Sequence, residues 1–182
     1  MKDLSSRYNR NRMTLSPAEN QKLREQKVCV IGCGGLGGFI IEELGRLGVG
    51  TITAVDGDVF DPTNLNRQLL STETLIGQGK AEAARDRMAQ VNSEVHLIPV
   101  HSFVTAENCA GIIRGHDVVV DALDNIPSRK LVEQCCQEEG IPLVHGAIAG
   151  WNAQVATILP GKSLLSRLYP EESVKGIETE LG

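Results

Sequence analysis

Short apolar runs alternate along the chain with segments in which apolar residues recur every three or four positions. Strand-sized runs lie at 28–31, 51–55, 95–100, 118–121, 142–149 and 154–159. Helical spacing lies at 36–47, with Leu36, Ile40, Leu44 and Leu47 on one face, and at 79–91, 106–113 and 128–139. This alternation predicts a Rossmann-like α/β fold: a doubly wound, mostly parallel sheet with helices on both faces.

Two segments depart from the alternation. Residues 1–27 are polar, and Ser16 followed by Pro17 is the pattern of a helix N-cap with proline at the first helical position. This predicts an arm followed by a short helix. Residues 56–74 form a polar, turn-rich connection of a length that is usually functional in a compact domain.

Charge and composition exclude several classes of protein. The 182 residues contain 23 acidic and 18 basic side chains, a formal charge of −5, so no general basic field exists to attract DNA or anionic lipid. The longest apolar runs are too short to span a membrane, and the charged N-terminus lacks the apolar core of a signal peptide. We therefore expect a cytoplasmic protein that binds neither DNA nor membrane.

The five cysteines form no C-x-x-C pair, so neither a disulfide framework nor a zinc site is indicated. Free cysteine is one of the residue types most often buried. All five are therefore predicted to be packing residues.

The segment GCGGLG at 32–37 matches the G-x-G-x-x-G pattern directly after a predicted strand and at the start of a predicted helix. Glycines let the backbone approach a nucleotide, and the helix N-terminus offers unpaired N–H groups to phosphate. Asp56 follows Gly37 by 19 residues, at the end of the second strand, where it could accept hydrogen bonds from ribose hydroxyls. The alternative is a glycine turn with an N-capping aspartate. Taken alone, the pattern favours an NAD-dependent dehydrogenase.

Two cations follow that a dehydrogenase does not require. NLNRQ at 64–68 supplies Arg67, and GQGK at 77–80 supplies Lys80 to the same mouth of the sheet. A bidentate guanidinium and a compact ammonium suit a triphosphate. The alternative for both is a solvated surface position.

A carboxylate ends the fourth predicted strand, in DALDN at 121–125. Ligands of open α/β sheets bind at strand ends, and Mg²⁺ takes one or two carboxylates together with phosphate oxygens. Asp124 is therefore a candidate Mg²⁺ ligand, the alternative being that it caps the next helix. Asp121 is interpreted as structural, no histidine is given a catalytic role, and Tyr169 is interpreted as a packing or interface residue.

These motifs together resemble the ThiF/MoeB/HesA family, bacterial relatives of the adenylation domains of ubiquitin-activating enzymes. The resemblance covers nearly the whole chain and lies in RYNR at 7–10, GCGGLG at 32–37, DGD at 56–58, NLNRQ at 64–68, GQGK at 77–80 and DALDN at 121–125. It implies a homodimeric enzyme that uses ATP and Mg²⁺ to adenylate the C-terminal glycine of a ubiquitin-like sulfur-carrier protein ending in Gly-Gly, releasing pyrophosphate. It also implies a division into an N-terminal arm (1–27), a nucleotide-binding adenylation domain (28–160) and a C-terminal tail (161–182).

The resemblance assigns roles to individual positions. Asp56 would hold the ribose, Asp124 would bind Mg²⁺, and Arg7 and Arg10 would reach the ATP of the opposite subunit. The phosphates would be contacted by Asn64, Arg67, Gln68 and Lys80. The remaining nucleotide-binding positions implied by the motifs are Gly32, Gly34, Gly35, Leu36, Gly37, Asp58, Leu123 and Asn125.

The chain departs from the family pattern near its end. Many members have a C-x-x-C zinc pair where this chain has Leu164 and Arg167, so no zinc is expected. The sequence stops at Gly182, before the family's usual C-terminal segment, which indicates a truncated or short form. Other readings stay open: an NAD-dependent oxidoreductase, which leaves NLNRQ and GQGK without a role, a family member that serves only as a binding partner, and adenylation of a carbonyl on tRNA.

Overall fold

The fold is built on one six-stranded sheet in the order β3-β2-β1-β4-β5-β6, seen in a computed structural model that describes residues 5–170. The strands are β1 (Lys27–Ile31), β2 (Thr51–Val55), β3 (His96–Val100), β4 (Val118–Asp121), β5 (Leu143–Ala149) and β6 (Asn152–Ile158). The helices are α1 (Pro17–Glu25), α2 (Gly37–Leu47), α3 (Lys80–Val91), α4 (Cys109–Ile113), α5 (Ile126–Glu139) and α6 (Leu165–Leu168). Short 3-10 helices cover Ser5–Met13, Pro62–Asn64 and Glu73–Leu75.

Strands β1 to β5 run parallel, and β6 pairs antiparallel with β5. The predicted doubly wound, mostly parallel sheet is therefore confirmed. The last residues of the three central strands are in register, because Ile31 pairs with Val55 on one side and with Asp121 on the other. The loops that follow these strands consequently leave the sheet at the same edge, the carboxyl edge.

Apolar side chains pack on both faces of the sheet, because successive residues of a strand point to opposite faces. Val28 and Val30 of β1 belong to one buried cluster, which includes residues of α2 and α3. Cys29 and Ile31 belong to the other, which includes residues of α4 and α5. All five cysteines are buried, as predicted for packing residues. Burial raises the pKa of the Cys29 and Cys136 thiols to about 12, so both are protonated at neutral pH.

Helix α2 packs its predicted apolar positions Ile40 and Leu44 against the core, but the residues that it buries most deeply lie beside them. Leu47 is 39% exposed, and Ile40 and Leu44 are only partly buried. The face buried most deeply carries small residues, because the helix lies close to the glycine turn and to α3. The buried residues of the helix are Gly37, Gly38, Ile41, Glu42 and Gly45. A periodicity of large apolar residues cannot show a contact that glycines make.

Two helix starts also differ from the predictions. Helix α4 begins at Cys109 instead of 106, because the backbone N–H of Thr105 donates to Asn108 Oδ1 (2.8 Å) and closes a turn ahead of the helix. Helix α5 begins at Ile126 instead of 128. The predicted N-cap of α1 is confirmed, since Ser16 and Glu19 form a reciprocal capping box.

The N-terminal arm packs at the opposite, amino edge of the sheet. The hydroxyl of Tyr8 accepts a hydrogen bond from Asn92 Nδ2 (2.7 Å). The Tyr8 ring packs so closely on Gly48 that a Cβ added to Gly48 would lie 2.7 Å from the nearest ring carbon. Gly48 and Asn92 precede β2 and β3. Across residues 5–170, no helix has both the length and the apolar character needed to cross a membrane.

Candidate nucleotide-binding site

Two loops meet at the carboxyl edge between β1 and β4, where the strand order reverses direction. A Cβ on Gly32 would lie 2.6 Å from the carbonyl oxygen of Ala122, so the glycine turn rests directly on the loop after β4. Gly32 has φ +96°, which a residue with a side chain rarely adopts. This crevice is where open α/β sheets bind ligands. The structure thus brings together two of the motifs predicted to form a nucleotide site.

Helix α2 presents its N-terminus to this crevice. It begins at Gly37, and the residue before it, Leu36, makes no side-chain capping hydrogen bond. The first N–H groups of a helix lack partners within the helix and favour an anion. The start of α2 therefore offers donors for a phosphate group.

Asp56 joins the end of β2 to the glycine turn. Its carboxylate accepts hydrogen bonds from the backbone N–H groups of Cys33 (2.8 Å) and Asp58 (2.8 Å). Burial raises the pKa of this carboxyl, and the two N–H donors and the charge of Lys80 act in the opposite direction. Asp56 is therefore a turn-bracing carboxylate at the site and does not cap a helix.

The long connection after β2 closes on itself at its two ends. The backbone N–H of Phe60 donates to the carbonyl of Gln78 (2.9 Å), and that of Lys80 donates to the carbonyl of Asp58 (3.0 Å). Phe60 and Leu70 are buried in the core and anchor the segment between them. The connection is therefore an ordered element that lies over the glycine turn.

Lys80 is 7% exposed, so a solvated surface position is wrong for this residue. Its Nζ lies 3.2 Å from Oδ2 of Asp58, a carboxylate that is itself largely exposed. The ammonium group is thus held near the carboxyl edge by one carboxylate and is also close enough to Asp56 to lower the pKa of that carboxyl.

The segment 64–68 lies beside the glycines of the turn. A Cβ on Gly34 would lie 3.6 Å from Nε2 of Gln68, and one on Gly35 would lie 3.7 Å from Cγ of Arg67. The buried Oε1 of Gln68 has no hydrogen-bond partner within the described residues. The guanidinium of the exposed Arg67 donates to two acceptors nearby in the chain, the carbonyl of Thr63 (3.0 Å) and Oδ1 of Asn66 (3.1 Å).

Asn64 serves the shape of this segment. Its side chain is buried, and its Oδ1 accepts a hydrogen bond from the backbone N–H of Asp61 (3.0 Å) at the start of the 3-10 helix Pro62–Asn64. A phosphate contact from Asn64 stays a prediction.

Asp124 does not cap α5. That role belongs to Asn125, whose Oδ1 accepts a hydrogen bond from the backbone N–H of Ser128 (2.9 Å). The Asp124 carboxylate is exposed, and its Oδ1 accepts a long hydrogen bond from the Nδ2 of Asn125 (3.5 Å). The side chain of Leu123, the residue before it, packs against the second core cluster, so a nucleotide contact from Leu123 stays a prediction.

Arg7 and Arg10 are not brought to this site within one chain. They lie in the 3-10 helix Ser5–Met13, together with Tyr8, which contacts the amino edge of the sheet. The buried Nη1 of Arg7 has no hydrogen-bond partner in the part of the chain that the structure describes. The other predicted site residues converge at the carboxyl edge.

A buried polar network behind the loop after β4 was not found from the sequence. His145 and Asp121 are both fully buried and lie 2.7 Å apart, and Tyr169 and Arg129 continue the network. The signal available in the sequence was weak: a histidine in an apolar strand and an aspartate at the end of another. Only the parallel pairing of β4 with β5 puts Asp121 opposite His145.

A family model described as the ThiF family matches residues 8–179. The chain is 39% identical over 162 residues to the SAMP-activating enzyme E1 of Haloferax volcanii, covering 89% of this chain and 60% of that protein. It is 36% identical over 164 residues to the sulfur carrier protein ThiS adenylyltransferase of Bacillus subtilis, covering 88% and 49%. Among solved structures, the tRNA N6-threonylcarbamoyladenosine dehydratase TcdA of E. coli in complex with ATP superposes with a TM-score of 0.78 at 32% identity, covering 83% and 63%. The chain thus spans about half to three-fifths of the length of these relatives.

Proposed function

Since this chain belongs to the ThiF family, we propose that it binds ATP at the carboxyl edge of its sheet and adenylates the C-terminal carboxylate of a ubiquitin-like sulfur-carrier protein. The observation that carries the proposal is the convergence, at one crevice, of a helix N-terminus, the buried Lys80 and the two side chains that lie on the glycine turn. In an oxidoreductase, Lys80, Arg67 and Gln68 would have no role.

The residues present fit a nucleoside triphosphate. The glycines at 32 and 37 leave no room for a Cβ, so the turn packs closely against the loop after β4 and against the start of α2. The N-terminus of α2 can then donate to a phosphate. The Nε2 amide of Gln68 and the exposed guanidinium of Arg67 lie beside the same turn, and both groups can donate hydrogen bonds to phosphate oxygens. Asp56 uses its two oxygens for backbone N–H groups, and carboxylate oxygens have further lone pairs for ribose hydroxyls.

The adenylation reaction mainly requires that negative charge be neutralised. An oxygen of the carrier's terminal carboxylate attacks the α-phosphorus of ATP, the bond from that phosphorus to the bridging oxygen breaks, and pyrophosphate leaves. Both reactants are anionic, so positioning and electrostatic stabilisation supply the catalysis. Lys80 and Arg67 would offset the charge that develops on the leaving pyrophosphate, and no side-chain nucleophile is required.

Asp124 fits the metal that accompanies ATP. Its carboxylate is exposed at the end of β4, is not used as a helix cap and lies on the loop that supports the glycine turn. A hard oxygen donor of this kind suits Mg²⁺, which would supply Lewis-acid charge neutralisation at the phosphates when bound.

We also propose that the chain forms a homodimer in which Arg7 and Arg10 act on the ATP of the partner. The placement of Tyr8 at the amino edge supports this, because the arm and the crevice of one chain lie at opposite edges of the sheet. Mixing an Arg10→Ala variant with an Asp124→Ala variant tests it. Random exchange of subunits leaves about one quarter of the sites with neither lesion, so mixing restores activity to two inactive proteins. Absence of restoration in proven hybrid dimers contradicts the proposal.

The function is tested by ATP–pyrophosphate exchange with a purified carrier ending in Gly-Gly. The matched control is the same carrier without its last glycine, which keeps the fold of the carrier and displaces the reacting carboxylate. We expect exchange with the intact carrier and none with the shortened one. Equal rates with both carriers, or none with any, contradict the proposal.

Thermal unfolding separates the other readings without any carrier. A ligand present at about one hundred times its dissociation constant stabilises a fold by about 2.7 kcal/mol. We expect stabilisation by Mg²⁺-ATP and none by NAD⁺. Stabilisation by NAD⁺ alone favours an oxidoreductase, and a response to neither favours a protein that only binds a partner.

The likeness to TcdA makes tRNA a second candidate substrate. The formal charge of −5 argues against it, because nucleic acid binding depends on neutralising phosphates. A retarded, salt-sensitive mobility of tRNA in the presence of this protein, together with tRNA-dependent consumption of ATP, would favour tRNA over a carrier protein.

A further inference from the structure

Five residues form a closed ring of hydrogen bonds that begins and ends at the backbone of Leu123. We call it the Leu123 ring. Its members are Leu123, Asp121, His145, Tyr169 and Arg129. Leu123 is the residue directly before Asp124, so the ring holds the peptide that leads to the proposed metal ligand.

With a neutral histidine, every link of the ring has one donor and one acceptor. Arg129 can only donate, so its Nη1 gives a hydrogen bond to the hydroxyl oxygen of Tyr169 (2.9 Å). The Tyr169 hydroxyl is then free to donate to Nε2 of His145 (3.2 Å). The other ring nitrogen, Nδ1, carries the histidine proton and donates to Oδ2 of Asp121 (2.7 Å).

The ring closes on Leu123 from both sides. Its backbone N–H donates to Oδ1 of Asp121 (3.0 Å). Its carbonyl accepts from both Nε (3.0 Å) and Nη2 of Arg129, the two donors along one edge of the guanidinium. The peptide group before Leu123 is held at its N–H, and the peptide group after it, which leads to Asp124, is held at its carbonyl. Rotation on both sides of the Leu123 Cα is thereby restricted, and so is the direction in which Asp124 leaves the loop.

Burying the polar side chains of the ring costs free energy. Asp121 and His145 are fully buried and Arg129 is 8% exposed, and removing charges from water costs several kcal/mol per ion unless good geometry compensates. Apolar side chains of similar volume would fill the same space at lower cost. A structural filler therefore does not explain these residue types, whereas a need to orient one peptide does.

Tyr169, which completes the ring, is held in place by the helix that precedes it. Glu133 is buried on α5, and its carboxylate accepts the backbone N–H groups of Leu164 (2.6 Å) and Leu165 (3.0 Å) at the start of α6. Helix α6 ends at Leu168, and Tyr169 follows it with its ring beside the guanidinium of Arg129. The hydroxyl of Tyr169 is thereby presented to the ring by a segment 40 residues beyond Arg129.

We propose that the Leu123 ring positions the Asp124 carboxylate for the metal–nucleotide complex, and that Tyr169, His145, Arg129 and Asp121 are positioning residues for the adenylation. This rests on the proposed function of the crevice. Groups that orient a metal ligand from behind change metal affinity by about 10- to 100-fold when they are removed.

Tyr169→Phe opens the ring at a single oxygen and keeps the aromatic packing. The probe is Mn²⁺ in place of Mg²⁺ with ATP, its binding to the protein followed by electron paramagnetic resonance. We expect about a 10-fold or larger rise in the Mn²⁺ concentration needed for half-saturation. ATP binding measured in EDTA is expected to stay unchanged, because Arg67, Gln68 and Lys80 are not touched.

Thr53→Val is the matched control. It also removes a hydroxyl that is hydrogen-bonded to a histidine, the 2.7 Å pair of Thr53 Oγ1 and His116 Nε2, but it lies within β2 and outside the ring. We expect a loss of stability comparable to that of Tyr169→Phe with no change in Mn²⁺ affinity. A general loosening of the fold would move both variants equally.

A second variant keeps the test valid if Tyr169→Phe fails to fold. Arg129→Lys keeps the charge and loses the two donors along the guanidinium edge, so it is expected to weaken Mn²⁺ binding while leaving ATP binding in EDTA intact. Unchanged Mn²⁺ affinity in both Tyr169→Phe and Arg129→Lys, with binding by the unsubstituted protein, overturns the positioning role and leaves the proposed function standing. Failure of the unsubstituted protein to bind Mn²⁺-ATP overturns both.

Discussion

Replacing Gly37 by alanine is expected to damage the nucleotide site and the fold at the same point. A Cβ at this position overlaps the carbonyl oxygen of Gly32 and lies 2.8 Å from its carbonyl carbon, about 0.7 Å closer than carbon atoms pack. The turn cannot retreat, because Gly32 already rests on the backbone of Ala122. Overpacking of this kind costs about 1–3 kcal/mol, and the better helix propensity of alanine returns only about 0.5–1 kcal/mol.

The difference is a net loss of up to about 2.5 kcal/mol, which corresponds to a fall of up to roughly 10 °C in the unfolding temperature of a domain of this size. The assay is thermal unfolding with and without Mg²⁺-ATP, and the added stability from nucleotide should vanish. Gly45→Ala is the control on the same helix, because its Cβ meets only the flexible end of Met88, which can move aside. If Gly37→Ala unfolds at the same temperature as Gly45→Ala and still responds to ATP, the close packing of the turn against α2 is not what shapes the site.

Four further variants test stability and activity separately. Asn125→Ala removes a helix cap and should lower the free energy of unfolding by about 1 kcal/mol. Asp124→Ala should leave stability unchanged and abolish most ATP–pyrophosphate exchange. A loss of stability in Asp124→Ala and none in Asn125→Ala would show that Asp124 is the cap. Lys80→Met should weaken Mg²⁺-ATP binding, and titration calorimetry showing unchanged affinity would remove Lys80 from the phosphate site. Hydrogen bonds from Arg87 hold the pKa of Glu42 below its usual value, so this pair stabilises the fold above the ordinary glutamate range and the contribution is lost as pH falls through the folded pKa. The stability of Glu42→Gln should therefore depend less on pH in acid, and parallel denaturation curves across that range would contradict the assignment.

The motifs at the carboxyl edge could be predicted because each is local. The pattern at 32–37 follows a strand and opens a helix, and the strand ends at Asp56 and Asp121 follow from the apolar runs before them. Their meeting at one crevice follows from the parallel order of strands. The alternatives for Lys80 and Asp124 could not be resolved in this way, since burial of the one and the use of Asn125 as the cap depend on neighbours in space.

Two features depended on packing that no periodicity records. Helix α2 turns its glycines inward because a backbone lies there, and glycine carries no hydropathy signal strong enough to compete with Leu44 or Leu47. The segments around Phe60 and Gln78 close the long connection through backbone hydrogen bonds, which any residue type can make.

Local properties of the chain determine the helices and strands, their order and the charged residues at the strand ends. These properties are the turn residues, the capping residues and the spacing of apolar positions. Contacts between distant segments do not, because they depend on the three-dimensional sum of packing and on the geometry of individual donors and acceptors. Asp121 and His145 are 24 residues apart, and Tyr169 lies a further 24 residues on. Only the pairing of β4 with β5 and the anchoring of α6 by Glu133 bring these three side chains into one ring behind Asp124.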